Sequence, residues 1–398
     1  MAIGILFGAI LWLATSGYGW AQSEPALTVQ SESAVLMDGI TGQILFQKNS
    51  EKRFSPASLV KMMTLYLAFD AIKRGSATLD QEAVVSEKTW KMGGAQMFLE
   101  VGDKVKLAEL IKGVAVVSAN DGALAIAESL TGSEEVFVRE MNDKARLLGL
   151  KHTRFANSHG LHAEGQETSA MDMATLGFRY ITEYPDALKF HMLPEYAYGG
   201  IRQPNRNPLL DRGMGVDGLR TGYLERSGYH FLFSATKDTQ RLVGAVMGAN
   251  TAKIRDSDAL KLLRYGHKNF STVTVVQEGH LVGKVRVQRG NPPELGLSAA
   301  ETLAVTIGKG IEESIRVRKE IPSSVNPPVT KGAVLGKLVV EAEGLPTKQI
   351  DLIASGDAQA KSYVRYYLIA LGALAGVIAY RFWRRRRLRQ GRFPRRWS

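Results

Sequence analysis

Apolar and polar positions alternate over residues 33–38 and again over 43–49, with Gly39 and Gly42 between them, a pattern that predicts a β-hairpin. Ser55-Pro56 then reads as a helix start, with Ser as cap and Pro at the first helical position, opening a helix over 57–73. Apolar residues recurring at helical spacing predict further helices over 107–117, 121–129, 134–148 and 170–182. The period then changes to that of strands at 219–223, 229–235 and 241–248, and a last helix over 256–270 closes the block. This order suits a helical cluster inserted between strands of one antiparallel sheet, an α+β architecture. From 271 to 355 short β segments (TVTVV, KVRVQ, LAVTI, SIRVRK, GKLVV) alternate with Gly, Pro and Asn, predicting a small all-β domain. No chemistry is visible there, so spacing or partner binding is its expected task.

The two ends carry a different pattern. Residues 3–14 are an unbroken apolar run, and Gly19 and Ala21 occupy the −3 and −1 positions of a cleavage site before Gln22, as in a secretory signal peptide over 1–21. Residues 366–380 carry no charge and are bounded by Arg365 and Arg381. Apolar on every face, this segment fits a short membrane span or anchor over 364–382 better than a surface-lying amphipathic helix. An Arg-rich tail follows over 383–398, and basic residues stay on the cytoplasmic side, so the body between the two ends is expected outside, on the periplasmic face of the membrane. An N-terminal export signal demands the same orientation.

Charge sharpens this division. The chain of 398 residues has a net charge of +12, but residues 361–398 hold 11 Lys and Arg and no Asp or Glu, leaving +1 for everything before them. The basicity belongs to the tail, which argues against a nucleic-acid-binding globular surface. The absence of Cys excludes disulfides, thiolate metal sites and a Cys nucleophile. His159 and His162 lie three apart without a third ligand at metal spacing, and no nucleotide-binding loop occurs, so neither metal nor cofactor is expected.

Three short motifs in order carry the candidate chemistry. In the first, Ser58-Leu59-Val60-Lys61, a spacing of three puts Ser58 and Lys61 on one helical face. A serine hydroxyl needs a base to become a nucleophile, and Lys61 can serve if burial and a nearby cation lower its pKa. In the second, Ser118-Ala119-Asn120, a hydroxyl and an amide in a turn between helices can relay a proton and grip a substrate amide. The third is Arg220-Thr221-Gly222 on a strand, where a cation and a hydroxyl can hold an anion and Gly222 permits close backbone approach. Singly, each is an ordinary helix face, helix cap or strand; together and in this order they are specific.

The ordered trio, with Lys rather than Arg in the third motif, is the pattern of penicillin-binding proteins and class A β-lactamases. QMFLEVGDKV, the run 112–127, NSHGLHAEGQ, IRQPNRNPLL and VDGLRTGY followed by SGYHFLFSA further resemble the low-molecular-weight D-alanyl-D-alanine carboxypeptidases, over about 29–355. The resemblance implies a penicillin-binding-protein-like catalytic domain over 22–270 before the β domain of 271–355. It implies that Ser58 is acylated, Lys61 accepts its proton, and Ser118 and Asn120 handle proton transfer and substrate positioning. It places the oxyanion hole at the backbone N–H groups of Ser58 and Tyr223, and the substrate's terminal carboxylate on Arg220 and Thr221, beside Gly222, helped by Arg255. The substrate class would be peptidoglycan stem peptides, with β-lactams as inhibitors and no cofactor. Two departures stand out: Arg220 replaces the family's usual Lys, and the C-terminal segment is apolar all round where the family's anchor is commonly amphipathic. A β-lactamase or D,D-endopeptidase with the same machinery, and a catalytically silent peptidoglycan-binding protein, remain alternative readings.

Overall fold

The structure, a computed structural model, describes residues 27–390, so the expected leader at 1–21 and Arg392, Arg395 and Arg396 of the tail lie outside the described residues. Strands β1 (Ser33–Asp38) and β2 (Ile44–Lys48) form the hairpin. They are joined by β3 (Val216–Leu224), β4 (Gly228–Lys237) and β5 (Gln240–Ala249) in one antiparallel sheet of order β2-β1-β5-β4-β3. Between β2 and β3 the chain inserts helices α1 (Lys61–Lys73), α2 (Leu107–Lys112), α3 (Asn120–Thr131), α4 (Glu134–Leu147) and α5 (Ala170–Glu183), and α6 (Ala252–Asn269) follows β5. The sheet is covered on both faces. Val35, Met37, Leu232 and Ala245 face the inserted helices, while Ala34, Leu36, Phe231 and Phe233 face α6. That is why β1 is buried along its whole length rather than on alternate residues.

Local chemistry explains where helices begin. Ser133, Ser169 and Thr251 each accept an N–H of the first turn that follows, and Thr251 starts α6 at Ala252, ahead of the start at 256 that apolar spacing suggests. The start expected at Ser55-Pro56 is different. Ser55 Oγ is buried without a partner and caps nothing. Ala57 takes a left-handed φ of 51°, the Leu59 N–H bonds the Pro56 carbonyl at 3.1 Å, and the result is a separate 3₁₀ turn, Ala57–Val60, before α1 begins at Lys61. The helix predicted over 107–117 is also two things: α2, then a π-turn at Gly113–Val117. The small hairpins Glu82–Val84 with Lys104–Lys106 and Glu195–Tyr198 with Ile201–Pro204 escaped the sequence pattern because strands of three or four residues are too short to show alternation.

From Phe270 the chain is β-structured, with a six-stranded sheet and a second core built on Val285, Leu297, Leu338 and Leu352. Its last pairing, Gly290–Asn291 with Gln359–Ala360, carries it past residue 355. Two polar contacts tie it to the β1–β2 turn: Thr272 donates to Asp38, and the hydroxyls of Thr41 and Thr306 lie 2.7 Å apart. Helix α7 (Val364–Gln390) contains a 22-residue stretch, Tyr366–Arg387, of mean hydropathy 1.4, long and apolar enough to cross a membrane. The expected change from anchor to tail at 382 is not a structural boundary, since the helix continues through Arg384–Arg387; arginine is a good helix former.

Candidate active site

Ser58 sits in the 3₁₀ turn at the mouth of α1, and Lys61 is the first residue of the helix proper. The ammonium position of Lys61 is completely buried; its Nζ lies 3.1 Å from Ser58 Oγ and also donates to the His159 carbonyl. Burial pushes the Lys61 pKa well below its ordinary value, and the Arg220 cation pushes the same way, while Asp121 opposes them. A neutral amine next to a hydroxyl can take its proton.

The turn is held in place by the loop Asn157–Gly160. Gly160 has a φ of +85°, and a Cβ there would lie 2.1 Å from the Ala57 carbonyl oxygen, so only glycine lets the loop close on the Ser58 turn. Thr64 Oγ1 donates to the Ser158 carbonyl at 2.6 Å, and Glu134 Oε1 accepts the Ser158 N–H and hydroxyl at 3.0 and 2.8 Å. His159 is buried beside Glu134, and burial lowers its pKa to about 4, so its ring is neutral. What it offers the site is its backbone carbonyl. His162, by contrast, lies in a surface cleft with Glu164 and Arg226.

Ser118 follows the π-turn in left-handed conformation (φ 66°, ψ 35°), with its Oγ buried and unpartnered. Such backbone positions in non-glycine residues cost on the order of 1 kcal/mol and cluster where function needs them. Asn120 Nδ2 donates to the Gly93 carbonyl at 2.6 Å. Asp121, which the sequence reading passed over, takes the N–H groups of Met97 and Leu99 at 3.0 and 3.2 Å and so ties the loop 93–99 to the start of α3.

Edge strand β3 supplies the third wall. A Cβ on Gly222 would lie 3.2 Å from Ala57 Cβ and 3.3 Å from Ser58 N, so the missing side chain lets β3 lie against the Ser58 turn. The close approach that Gly222 permits is thus one between two protein backbones. Alternation then separates its neighbours. Thr221 pairs with Phe231 and Tyr223 with Tyr229, on the face towards α6; the Arg255 guanidinium lies over both aromatic rings, bonded to Asp256 at 2.7 Å. Arg220 points the other way. Its side chain is 2 % exposed, its Nη2 donates to the Val114 carbonyl, and burial lowers its pKa to about 10. The structure therefore pairs Ser58 with Lys61 and lays Gly222 against the Ser58 turn, puts Ser118 and Asn120 at the turn before α3, and sets Thr221, Tyr223 and Arg255 on the α6 side of β3. Adjacent strand residues point to opposite sides of the sheet, so the Arg220 guanidinium lies at the Val114 carbonyl and Thr221 on the α6 side.

Comparison with known proteins narrows the chemistry. A profile of the peptidase S11 family, D-alanyl-D-alanine carboxypeptidase, matches residues 20–251, and one of the penicillin-binding protein 5 C-terminal domain matches 270–360. The chain is 34% identical over 353 residues to the D-alanyl-D-alanine carboxypeptidase DacF of Bacillus subtilis, covering 87% of this chain and 90% of that one. To DacC of Escherichia coli it is 36% identical over 354 residues, covering 87% and 88%. Among solved structures, penicillin-binding protein 5 of Haemophilus influenzae aligns with a TM-score of 0.74 at 35% identity, over 83% of this chain and 98% of that one. Penicillin-binding protein D2 of Listeria monocytogenes, solved in its ampicillin-bound form, aligns with a TM-score of 0.56 at 27% identity, over 62% of this chain and all of that one.

Proposed function

The chain belongs to the D-alanyl-D-alanine carboxypeptidase family, peptidase S11, and on that premise we propose that Ser58 is the residue its substrate acylates. The activity is that of the family: serine-type hydrolysis of the terminal D-Ala–D-Ala bond of a peptidoglycan stem peptide. The observation that carries the assignment of Ser58 is the buried amine of Lys61, 3.1 Å from its hydroxyl, with a pKa that burial lowers well below its ordinary value. In this reading Lys61 takes the Ser58 proton as Oγ attacks the carbonyl carbon of the penultimate D-alanine. The oxyanion lies between the N–H groups of Ser58 and Tyr223, the Ser58 turn and β3 meeting at Gly222. The proton held on Lys61 passes through the Ser118 hydroxyl, free of other partners, to the departing amine of D-alanine. Water then attacks the acyl carbon, giving its proton to Lys61, which passes it to Ser58 Oγ as the C–O bond of the acyl-enzyme breaks. Asn120 orients the peptide, and Thr221 with Arg255, whose guanidinium is bonded to Asp256, suits the terminal carboxylate. No cofactor enters these steps.

Incubation with penicillin followed by mass spectrometry tests the assignment. A covalent adduct on Ser58 that is lost in Ser58→Ala, together with D-alanine release from a stem-peptide mimic, is the expected result. An adduct that persists in Ser58→Ala overturns it. Rapid turnover of penicillin would instead favour a β-lactamase, and cleavage of cross-linked dimers in preference to free stem peptides an endopeptidase.

Export by the N-terminal segment and anchoring by α7, with the basic end in the cytoplasm, complete the proposal. Removal of residues 364–398 should release a soluble, active enzyme from the membrane. Retention on the membrane after that deletion would move the anchor to the N-terminal segment. Protease on the cytoplasmic side should clip only the Arg-rich end.

A further inference from the structure

Outside the candidate active site, at the end of α6, one buried histidine uses only half of its ring. His267 lies in the last turn of the helix and is 8% exposed. Its Nδ1 is 3.0 Å from Gln240 Oε1, and the Gln240 amide donates to the Phe270 carbonyl at 3.2 Å, so Nδ1 carries the proton of the neutral ring. Nε2 is then a lone pair, buried and without a partner among the described residues. Such a group costs free energy unless something completes it. The ring lines a cleft of about 130 Å³ where the body meets the β region. The β4–β5 turn brings Lys237, Asp238 and Thr239 to this cleft, and the chain after α6 brings Ser271. Lys309, from the β region, donates to the His267 carbonyl and so answers the negative end of α6, which occupies one of its three ammonium protons. Lys237 is exposed, with no partner among the described residues. Asp238 is the single carboxylate lining the cleft; Asp38, close by, is taken up by Thr272 and by the N–H groups of Ile40 and Thr41. Burial lowers the His267 pKa, Lys237 and Lys309 press the same way and Asp238 opposes them, with Lys268 as the neighbouring charge on α6 itself. Two lysines exclude a metal ion, and a neutral ligand would leave them unanswered. An anion answers them and the ring together, since a protonated Nε2 becomes a third charged donor. Donors arriving from several elements suit oxygens disposed in several directions, and the cleft admits an ion of that kind but no peptide.

We infer that this cleft binds a small tetrahedral oxyanion of the phosphate or sulfate class, held by Lys237, Lys309 and the Nε2–H of a protonated His267, and that the ion brings a proton with it and ties the body to the β region. The sign of the coupling follows from the ring. Without an anion His267 is neutral at neutral pH, so binding takes a proton up and affinity rises as the pH falls. A free anion and the phosphate of a lipid headgroup share this chemistry.

Titration calorimetry of the full-length protein in detergent with sulfate tests this, at constant ionic strength and in buffers of different ionisation heat, which count protons. Sulfate keeps its double charge at pH 6 and at pH 8, so any pH dependence belongs to the protein. Wild type should bind one sulfate with proton uptake, and the affinity should fall about tenfold from pH 6 to pH 8. Lys237→Met should weaken binding severalfold at both pH values. His267→Gln keeps a donor at the Nε2 position but cannot titrate, so its affinity should be the same at both and carry no proton. Absence of saturable binding to wild type at pH 6, or binding that both variants leave unaltered, would overturn the inference. Should His267→Gln fail to fold, Lys237→Met on the exposed turn and the wild-type proton count decide: unchanged affinity without proton uptake overturns it too. Inorganic phosphate and glycerophosphoglycerol, the soluble headgroup diester of phosphatidylglycerol, then name the source. A diester bound as tightly as sulfate assigns the site to a lipid headgroup, and phosphate bound without the diester assigns it to the free ion. Neither variant should change penicillin labelling of the protein.

Discussion

Two interiors in this chain are built from different materials. The body from Val29 to Asn269 buries Lys61, Asp121, Glu134, His191 and Arg220 among its apolar side chains, whereas the β region buries one polar side chain among the described residues, Thr306. Even Thr306 points to the body, through its contact with Thr41. Burying a polar or charged group costs free energy unless its partners are in place, so such groups persist where a geometry depends on them. Lys61, Asp121, Glu134 and Arg220 each bond the backbone of a turn or loop, at the His159 carbonyl, the Met97 and Leu99 N–H groups, the Ser158 N–H and the Val114 carbonyl. The β region gathers its core from apolar side chains such as Val285, Leu297, Leu338 and Leu352.

The sharpest test of that contrast separates activity from stability. Ser58→Ala should remove D-alanine release and penicillin labelling altogether while its melting temperature stays within about 2 °C of wild type, because the residue, the proposed nucleophile, is half-buried and no packing element. Lys61→Met should lower kcat/KM by about 10³-fold, with the loss of the base. It should also raise the denaturant midpoint, since an apolar chain of similar shape replaces a buried amine. A destabilised Lys61→Met would show that the interior polar groups support the fold as well as the chemistry.

Acid should distinguish the two regions next. Burial lowers the pKa of His191 to about 3 and that of His230 to about 4, against 6.5 when unfolded, so both are neutral in the folded body. The unfolded chain therefore binds more protons below pH 6.5. Stability from this source is complete above 6.5 and falls as the pH drops towards 4 and 3, by about 2 kcal/mol for each histidine at pH 5. Trp90 is the only Trp between residues 22 and 363 and reports the body alone. Its fluorescence melt in the tail-deleted protein should drop between pH 7 and pH 5; an unchanged melt would mean that these rings are not buried as neutral groups.

Leu352→Ala carries the opposite signature to Ser58→Ala. A cavity in the β core should cost about 3 kcal/mol, with kcat/KM of the folded protein unchanged. Altered kcat/KM would show that the β region shapes the site. Smallest is Thr306→Val, which removes the hydroxyl contact across the junction: a loss of about 1 kcal/mol in urea denaturation, with no change in activity.

The order of strands and inserted helices, the apolar C-terminal helix and the Ser58–Lys61 pair could be read from the sequence, because each depends on local spacing: two residues for strands, three or four for a helical face. The tail's charge and the ordered trio of motifs are likewise properties of the chain itself. What lay beyond reach was set by contacts between distant segments. Nothing near Ser55 in sequence announces that the Ser58 turn is 3₁₀ and separate from α1, since it is shaped by Gly160 and Gly222 closing on it from two sides. NSHGLH showed a glycine and two histidines, and only the fold made the His159 carbonyl, rather than its ring, the group that meets Lys61. Asp121 drew no notice in the sequence, and only the fold made it the anchor of a loop more than 20 residues upstream. Arg220 shows the limit most clearly. Its charge and its place in a motif belong to the sequence, but which side of β3 it occupies depends on register. A shift of one residue exchanges the faces of a strand, and register is decided by which faces the helices bury, so the destination of the guanidinium was settled only by tertiary packing.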